Sequence, residues 1–226
     1  MSEEERMLVV PGEVIETGDK FLPGEGTRKE GKEIVASRFG LLEKSDSLIK
    51  IIPLGGTYSP RPGNNIIGRI RDITFNGWLV DMDSAVSAFL PIMDYPGRVN
   101  KNDLTEQLAI GDAIIAKIRS VKSKGIDLTL KERGLRKLED GFIMKINPTR
   151  VPRIIGRAGS MVTLIKDQTG CSILVGQNGY VWIRGKDPDS ELLAKKAIEL
   201  IIAKPFVSGL TDVVKEFLEK QKESKK

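Results

Sequence analysis

The chain has no histidine. That removes the commonest general base, the commonest zinc ligand and the usual hydrolytic triads from consideration. It has one cysteine, Cys171, so no intrachain disulfide can form, which fits a reducing compartment. Aromatic residues make up 5% of the chain, too few for broad base-stacking platforms. No run approaches the roughly 18 apolar residues of a membrane span. The acidic start Met1–Arg6 leads into a short apolar run at 7–10, which does not read as a signal peptide. A cytoplasmic location and no membrane are therefore expected. No G-x-x-x-x-G-K-[ST] loop occurs, so nucleotide hydrolysis has no support. The reading is of a protein that is not an enzyme and needs no cofactor.

What is present is a basic, globular composition. The 226 residues suffice for one large domain or two to three small ones, and 40% hydrophobic content is enough for folded cores. A net charge of +5 and a pI near 9.2 favour a polyanionic partner.

Three patterns follow one another. Residues 1–60 hold short apolar runs separated by Gly, Pro and Asp signals, such as Leu8-Val9-Val10 before Pro11-Gly12, and predict a small β domain. Pro23 to Lys32, with three glycines and little apolar content, reads as a flexible loop. Tyr58-Ser59-Pro60-Arg61-Pro62-Gly63 is stiffened by two prolines and reads as a linker. Residues 61–135 hold five strand-like runs, which suit a small closed barrel of the OB type. In residues 136–226 the order becomes β-α-α-β-β-α, followed by an amphipathic segment from Leu210 and a charged tail. The expected fold class is multidomain, mainly β and then α+β.

Two G-x-x-G tetrads lie in the last region. Gly176-Gln177-Asn178-Gly179 sits between two strands and reads as a hairpin turn. Gly156-Arg157-Ala158-Gly159 follows Arg153-Ile154-Ile155 and opens a helix with Ser160 as its expected N-cap. Glycines let a phosphate chain approach the backbone, and the helix start offers free N–H groups and the positive end of a dipole. Arg157 adds a cation inside the loop, with Arg150, Arg153 and Lys166 near it in sequence. A plain helix-to-helix turn is the bland alternative.

With Thr169-Gly170-Cys171-Ser172-Ile173 and Val181-Trp182-Ile183-Arg184-Gly185 behind it, this region resembles a type I KH domain, whose G-x-x-G loop clamps about four nucleotides of single-stranded backbone. Ile67-Gly68-Arg69-Ile70, Asn76-Gly77-Trp78-Leu79-Val80-Asp81 and Gly125-Ile126-Asp127-Leu128-Thr129-Leu130 resemble the RNA-binding OB domain named after ribosomal protein S-one. That family often carries aromatics where this chain has Asn76 and Leu79, and histidine where it has Pro91. Phe75 and Trp78 are the candidates to replace that stacking platform, with core packing as the alternative for either. Arg69, Arg71, Lys117, Arg119, Lys122 and Lys124 are candidate phosphate contacts, against a solvated strand face. The order of the three parts is similar over the full length to the KH-bearing RNA-binding cap subunits of the archaeal exosome. The resemblance implies single-stranded RNA as ligand and RNase PH-like ring subunits as partners. It implies three copies on the ring, alone or with the other cap protein, and an N-terminal domain that docks there.

Other features are weaker. Asp81-Met82-Asp83 offers two carboxylates on one strand face, too few for a hard-metal site, and no metal is expected. Cys171 reads as a small core residue. The competing functions are an RNA-binding regulator of transcription or translation and a polyribonucleotide phosphorylase. The phosphorylase places KH before the barrel and needs catalytic domains for which this chain has no room.

Overall fold

The computed structural model describes residues 7–45, 47–100, 103–203 and 209–223. The acidic start and the last three residues of the basic tail singled out above lie outside these ranges. By contacts along the chain, the protein divides between Thr57 and Tyr58 into two compact units.

The N-terminal unit is all β. Its strands are β1 (Leu8–Val9), β2 (Val14–Thr17), β3 (Leu22–Pro23), β4 (Thr27–Glu30), β5 (Glu33–Ala36), β6 (Gly40–Lys44) and β7 (Leu48–Pro53). They form one sheet ordered β1-β6-β7-β3 and another ordered β2-β5-β4. Val9, Ala36 and Ile51 are buried between them, with Ile15 and Leu42 packed alongside. The loop expected over Pro23 to Lys32 is instead structured. Gly24 N donates to Ile49 O, Thr27 Oγ1 donates to Gly24 O, and β4 pairs with β5 in regular antiparallel register. As an edge strand β4 carries polar side chains on both faces, so its sequence holds no apolar alternation to read.

The second unit holds a barrel and an α+β layer. The barrel strands are β8 (Asn65–Thr74), β9 (Gly77–Asp81), β10 (Ala88–Pro91), β11 (Ala113–Lys122) and β12 (Gly125–Thr129). The pairing β12-β10-β9-β8-β11 closes because β11 also pairs with β12. Closure removes the open edges of the sheet. The interior is filled by Ile66, Ile70, Trp78, Met82, Leu90, Ile114, Ile118 and Leu128, among others. β13 (Arg136–Leu138) is added alongside β11.

The α+β layer runs β14 (Phe142–Lys145), α1 (Val151–Ile155), α2 (Ser160–Thr169), β15 (Ser172–Val175), β16 (Tyr180–Arg184), α3 (Pro188–Ala203) and α4 (Leu210–Glu223). The sheet order is β14-β16-β15. Both faces of this sheet are covered. Val181, Ile183 and Ile173 face the helices, while Trp182, Leu174 and Ile143 face Ile67, Ala113, Ile115 and Leu138 of the barrel side. That explains the unbroken apolar run Val181-Trp182-Ile183, since a strand buried on both sides needs no alternation. Asp187 Oδ1 caps α3 by accepting from Ser190 N. In α4, Leu210, Val214, Phe217 and Leu218 form a stripe at helical spacing against this core. The helix continues to Glu223, past the point where the charged sequence suggests it should end.

Candidate nucleic-acid interface

The loop at 156–159 is set by a chain of backbone hydrogen bonds. Gly156 N donates to Pro152 O at 2.9 Å, ending α1, and Gly159 N donates to Gly156 O at 3.2 Å. Gly156 stands at φ 74°, ψ 174°, which side chains rarely adopt. A Cβ there would also lie 2.7 Å from Met161 N and Cβ, so both conformation and space demand glycine. Ala158 (φ 51°, ψ 28°) and Gly159 (φ 81°, ψ 7°) are consecutive left-handed residues. Gly159, not Ser160, is the N-cap of α2, and no side chain caps that end. The free N–H groups of the first turn of α2 are therefore not taken up by a capping side chain.

The loop is anchored from below and open above. Ile154, Met161 and Ile165 are buried, whereas Arg157 and Ala158 are exposed. Arg157 makes no ion pair among the described residues, nor does Arg150, at the start of α1. Arg153 is half-buried on α1. Lys166 falls elsewhere: six residues into α2 at a 1.5 Å rise, it stands about 9 Å along the axis from the helix start. An exposed cation beside a helix start that no side chain caps, with glycines that allow close approach, has the chemistry to receive an anion.

The barrel candidates do not form one patch. Trp78 is fully buried, with its Nε1 donating to Leu108 O at 3.1 Å and its ring 5.4 Å from that of Tyr95. It is a core residue, and its role as a stacking surface is corrected accordingly. Phe75, at the β8–β9 turn, is 89% exposed. Lys122 and Lys124 sit at the β11–β12 hairpin, at the opposite end of the barrel from Phe75 by strand register. Lys122 is paired with Asp127 at 2.6 Å, and that pairing, with Ser120 donating to the same carboxylate, holds Asp127 below the usual aspartate value. Arg119 pairs with Asp94, and Lys117 with Glu132. Arg69 donates to Gly111 O and lies beside Tyr180 and Ile143 at the seam with the α+β layer. Burial there raises the Tyr180 hydroxyl above its ordinary value. Arg71 sits at a β-bulge in β8, exposed and without an ion pair among the described residues.

The carboxylates at 81–83 are spent locally. Asp81 Oδ1 accepts from Asp83 N, and Asp83 pairs with Lys145 at 2.6 Å. Cys171 is buried, as a small core residue would be.

The second tetrad has a task that the sequence does not announce. It is a hairpin turn, with Gly179 N donating to Gly176 O. Its Asn178 is 1% exposed and reaches into the barrel. Asn178 Nδ2 donates to Ile67 O (2.8 Å) and Met82 O (3.1 Å), and Oδ1 accepts from Ile67 N (3.2 Å). Gln177 N donates to Asn65 O, and a Cβ on Gly176 would lie 2.8 Å from Ile67 N. The hairpin fixes the α+β layer to the barrel.

Comparison with known proteins agrees with this geometry. Residues 141–189 match the family model of the KH domain, and residues 6–55 match the N-terminal domain of the exosome RNA-binding protein RRP4. The chain is 42% identical over 216 residues to exosome complex component Rrp4 of Methanothermus fervidus, covering 95% of this chain and 96% of that one. It is also 42% identical over 219 residues to the Rrp4 of Thermococcus kodakarensis, covering 94% and 85% respectively. The chain belongs to the Rrp4 family of exosome complex components. A crystal structure of a proposed exosome complex RNA-binding protein, 31% identical, superposes with a TM-score of 0.67 over 76% of this chain and all of that one. The mainly β architecture, OB-like barrel and KH-like region expected from sequence are present in this chain.

Proposed function

We propose that this protein is a non-catalytic, RNA-binding cap subunit of an archaeal exosome. It captures single-stranded RNA and passes it to a ring of RNase PH-like subunits for 3′-to-5′ degradation. The observation that carries this reading is the loop at 156–159: two glycines, left-handed backbone at Ala158 and Gly159, and exposed Arg157 at an uncapped helix start, in a chain of the Rrp4 family. Arg150 and Arg153 flank that loop, and Arg71 and Phe75 extend the RNA surface onto the barrel.

Three copies on the ring, alone or mixed with the other cap protein, are the assembly this reading implies. The N-terminal unit is the docking part. Leu8, Leu22, Leu48 and Ile52 are exposed on its β1-β6-β7-β3 sheet, an apolar surface that a monomer gains nothing by leaving wet. Among the described residues, no helix is long and apolar enough to cross a membrane, and no side-chain group suited to a metal ion is present.

The test is binding of the full chain to a labelled oligoribonucleotide, followed by fluorescence anisotropy across a salt series. Affinity should fall steeply with salt because phosphate contacts dominate. A chain that binds no RNA at any salt would refute the reading. So would robust RNA turnover by the purified chain that persists between independent preparations.

A further inference from the structure

The seam between the barrel and the α+β layer holds a pocket that neither the phosphate loop nor Phe75 uses. Its volume is about 60 Å3, room for roughly four to six waters. Ile67, Gly68 and Ile143 form apolar walls, and Arg69, Asp81 and Tyr180 carry the polar groups. The pocket is too small for a whole nucleotide, and it opens to solvent, so what can enter it is the edge of a flat group.

Strand register places the polar groups. Arg69 on β8 and Asp81 on β9 stand directly opposite each other, where opposite charges ordinarily attract. Here no ion pair joins them among the described residues. Arg69 turns one N–H to Gly111 O at 3.2 Å, which leaves the rest of its donor fork for a ligand. Asp81 Oδ1 accepts from Asp83 N, while its other oxygen has no partner among the described residues. Asp83 itself pairs with Lys145 at 2.6 Å. The Tyr180 hydroxyl likewise has no hydrogen-bond partner among the described residues. Burial, and then the Asp83 carboxylate, raise its pKa above the ordinary value, so it keeps its proton and can donate.

The charges at the mouth select the ligand. The cations Arg69 and Lys145 and the carboxylates Asp81 and Asp83 all act on the Tyr180 hydroxyl and cancel one another, so the mouth has no net pull on a phosphate or a metal ion. What remains is a donor fork beside a carboxylate acceptor. Its match is a neutral group that carries acceptors and donors next to each other along one edge. A trans peptide puts its N–H and C=O on opposite sides, so a protein backbone matches poorly. Guanine matches well: O6 and N7 accept from an arginine, and N1–H and the 2-amino group donate to a carboxylate.

We propose that this seam pocket reads the edge of one guanine in the bound RNA, with Asp81 as acceptor and with Arg69 and Tyr180 as donors. This rests on the RNA-binding reading above and adds a base preference to it, since phosphate contacts carry none.

The test is fluorescence anisotropy of the full chain with two labelled oligoribonucleotides, a uridine tract and the same tract carrying one central guanosine. The guanosine should strengthen binding roughly 5- to 150-fold, nearer the lower figure because Arg69 and Asp81 are exposed. Inosine, which lacks the 2-amino group, should keep part of that gain, and adenosine little of it. Asp81→Asn and Arg69→Lys should each bring the guanosine and uridine affinities together. Arg69→Lys keeps the charge, so its salt slope should stay that of the parent. Tyr180→Phe should lose a smaller part of the preference. Urea midpoints matching the parent's check that the seam is intact, and a purely structural role would lower both affinities while leaving their ratio unchanged. If the parent chain binds both oligonucleotides equally and Gly159→Asp weakens both, this inference is overturned while the cap reading stands. If the guanosine preference survives Asp81→Asn, guanine is read elsewhere and the inference fails. If guanosine monophosphate binds in an Asp81-dependent way but the oligonucleotides show no preference, the pocket serves a free nucleotide and the inference again fails. If the parent chain binds no RNA, both readings fall together.

Discussion

Asn178 offers the most direct measurement of how the barrel and the α+β layer are joined. Replacing it with alanine deletes three hydrogen bonds, to Ile67 O, Met82 O and Ile67 N, at a position that is 1% exposed. Each bond contributes about 1 kcal/mol net, and backbone groups left without a partner add a desolvation cost, so a loss of about 3 kcal/mol or more is expected. For a unit running from Tyr58 to the C-terminus, that corresponds to a fall in melting temperature of about 6–12 °C. Asn178→Asp should cost more, because a carboxylate would then face the carbonyls of Ile67 and Met82 in place of an amide that donates to them. The two halves also carry separate reporters. Among the described residues all four α-helices belong to the α+β layer, so ellipticity at 222 nm follows that layer, whereas fluorescence of a Trp182→Phe background follows Trp78 in the barrel core. In urea, the parent should show coincident transitions by both probes, and Asn178→Ala should separate them. An Asn178→Ala protein with an unchanged midpoint and coincident transitions would refute the idea that this side chain holds the two halves together.

Gly159 provides a cleaner probe of the phosphate loop than Gly156. A side chain at 159 meets nothing within 4 Å, so Gly159→Asp should fold, at a backbone cost of about 1–2 kcal/mol, and bind RNA at least tenfold more weakly by anisotropy. Gly156→Asp should instead lower thermal stability markedly, because its Cβ strikes Met161. Asp127 predicts a pH dependence: its pKa is depressed in the fold by Lys122 and Ser120, so it stabilises above the ordinary aspartate value near 3.8 and that stability is lost as pH falls through the lowered value. Asp127→Asn should cost at most about 1 kcal/mol at pH 7, by urea titration, and nothing once the carboxylate is protonated. Tyr58 runs the other way. Burial pushes its hydroxyl to about 12, so the fold should lose stability as pH rises from the ordinary value of 10.0 towards 12, and Tyr58→Phe should flatten that part of the profile.

The features legible in the sequence are those in which a local rule and the tertiary structure agree. The short barrel strands β10 and β12 alternate, and the G-x-x-G loop sits between two helices as its glycines require. α3 carries its cap residue at Asp187, where an Asp-Pro pair marks a helix start. Misreadings gather where a residue answers to a distant partner. Trp78 lies beside a turn signal, and it is made core by residues distant in sequence, such as Leu104, Leu108 and Ile114. β4 is polar because one side of an edge strand is wet, so its pairing with β5 leaves no trace in its own composition. Ser160 has the right chemistry for a cap, but the left-handed backbone at Ala158 and Gly159 places the helix start one residue earlier.

The two G-x-x-G tetrads show why spacing alone does not assign a role. Both are glycine-bounded turns, and a motif search treats them alike. In the first, the backbone is left-handed at Ala158 and Gly159, no side chain caps the start of α2, and the middle residues Arg157 and Ala158 are exposed. In the second, the middle residue Asn178 is buried and spends its amide on the barrel backbone. One tetrad therefore leaves its middle residues to solvent, and the other presents a side chain to protein. The second role conditions the first. Because Asn178 and the Trp182–Ile67 packing join the α+β layer to the barrel, the loop at 156–159 and Phe75 belong to one compact unit. An RNA held at both points would pay the cost of ordering its backbone once, and the second contact would act at high effective concentration. On that reasoning, loosening the seam through Asn178→Ala should weaken RNA binding without touching an RNA-contacting residue. The loss should appear with oligonucleotides long enough to span both points and vanish with ones that reach only the loop.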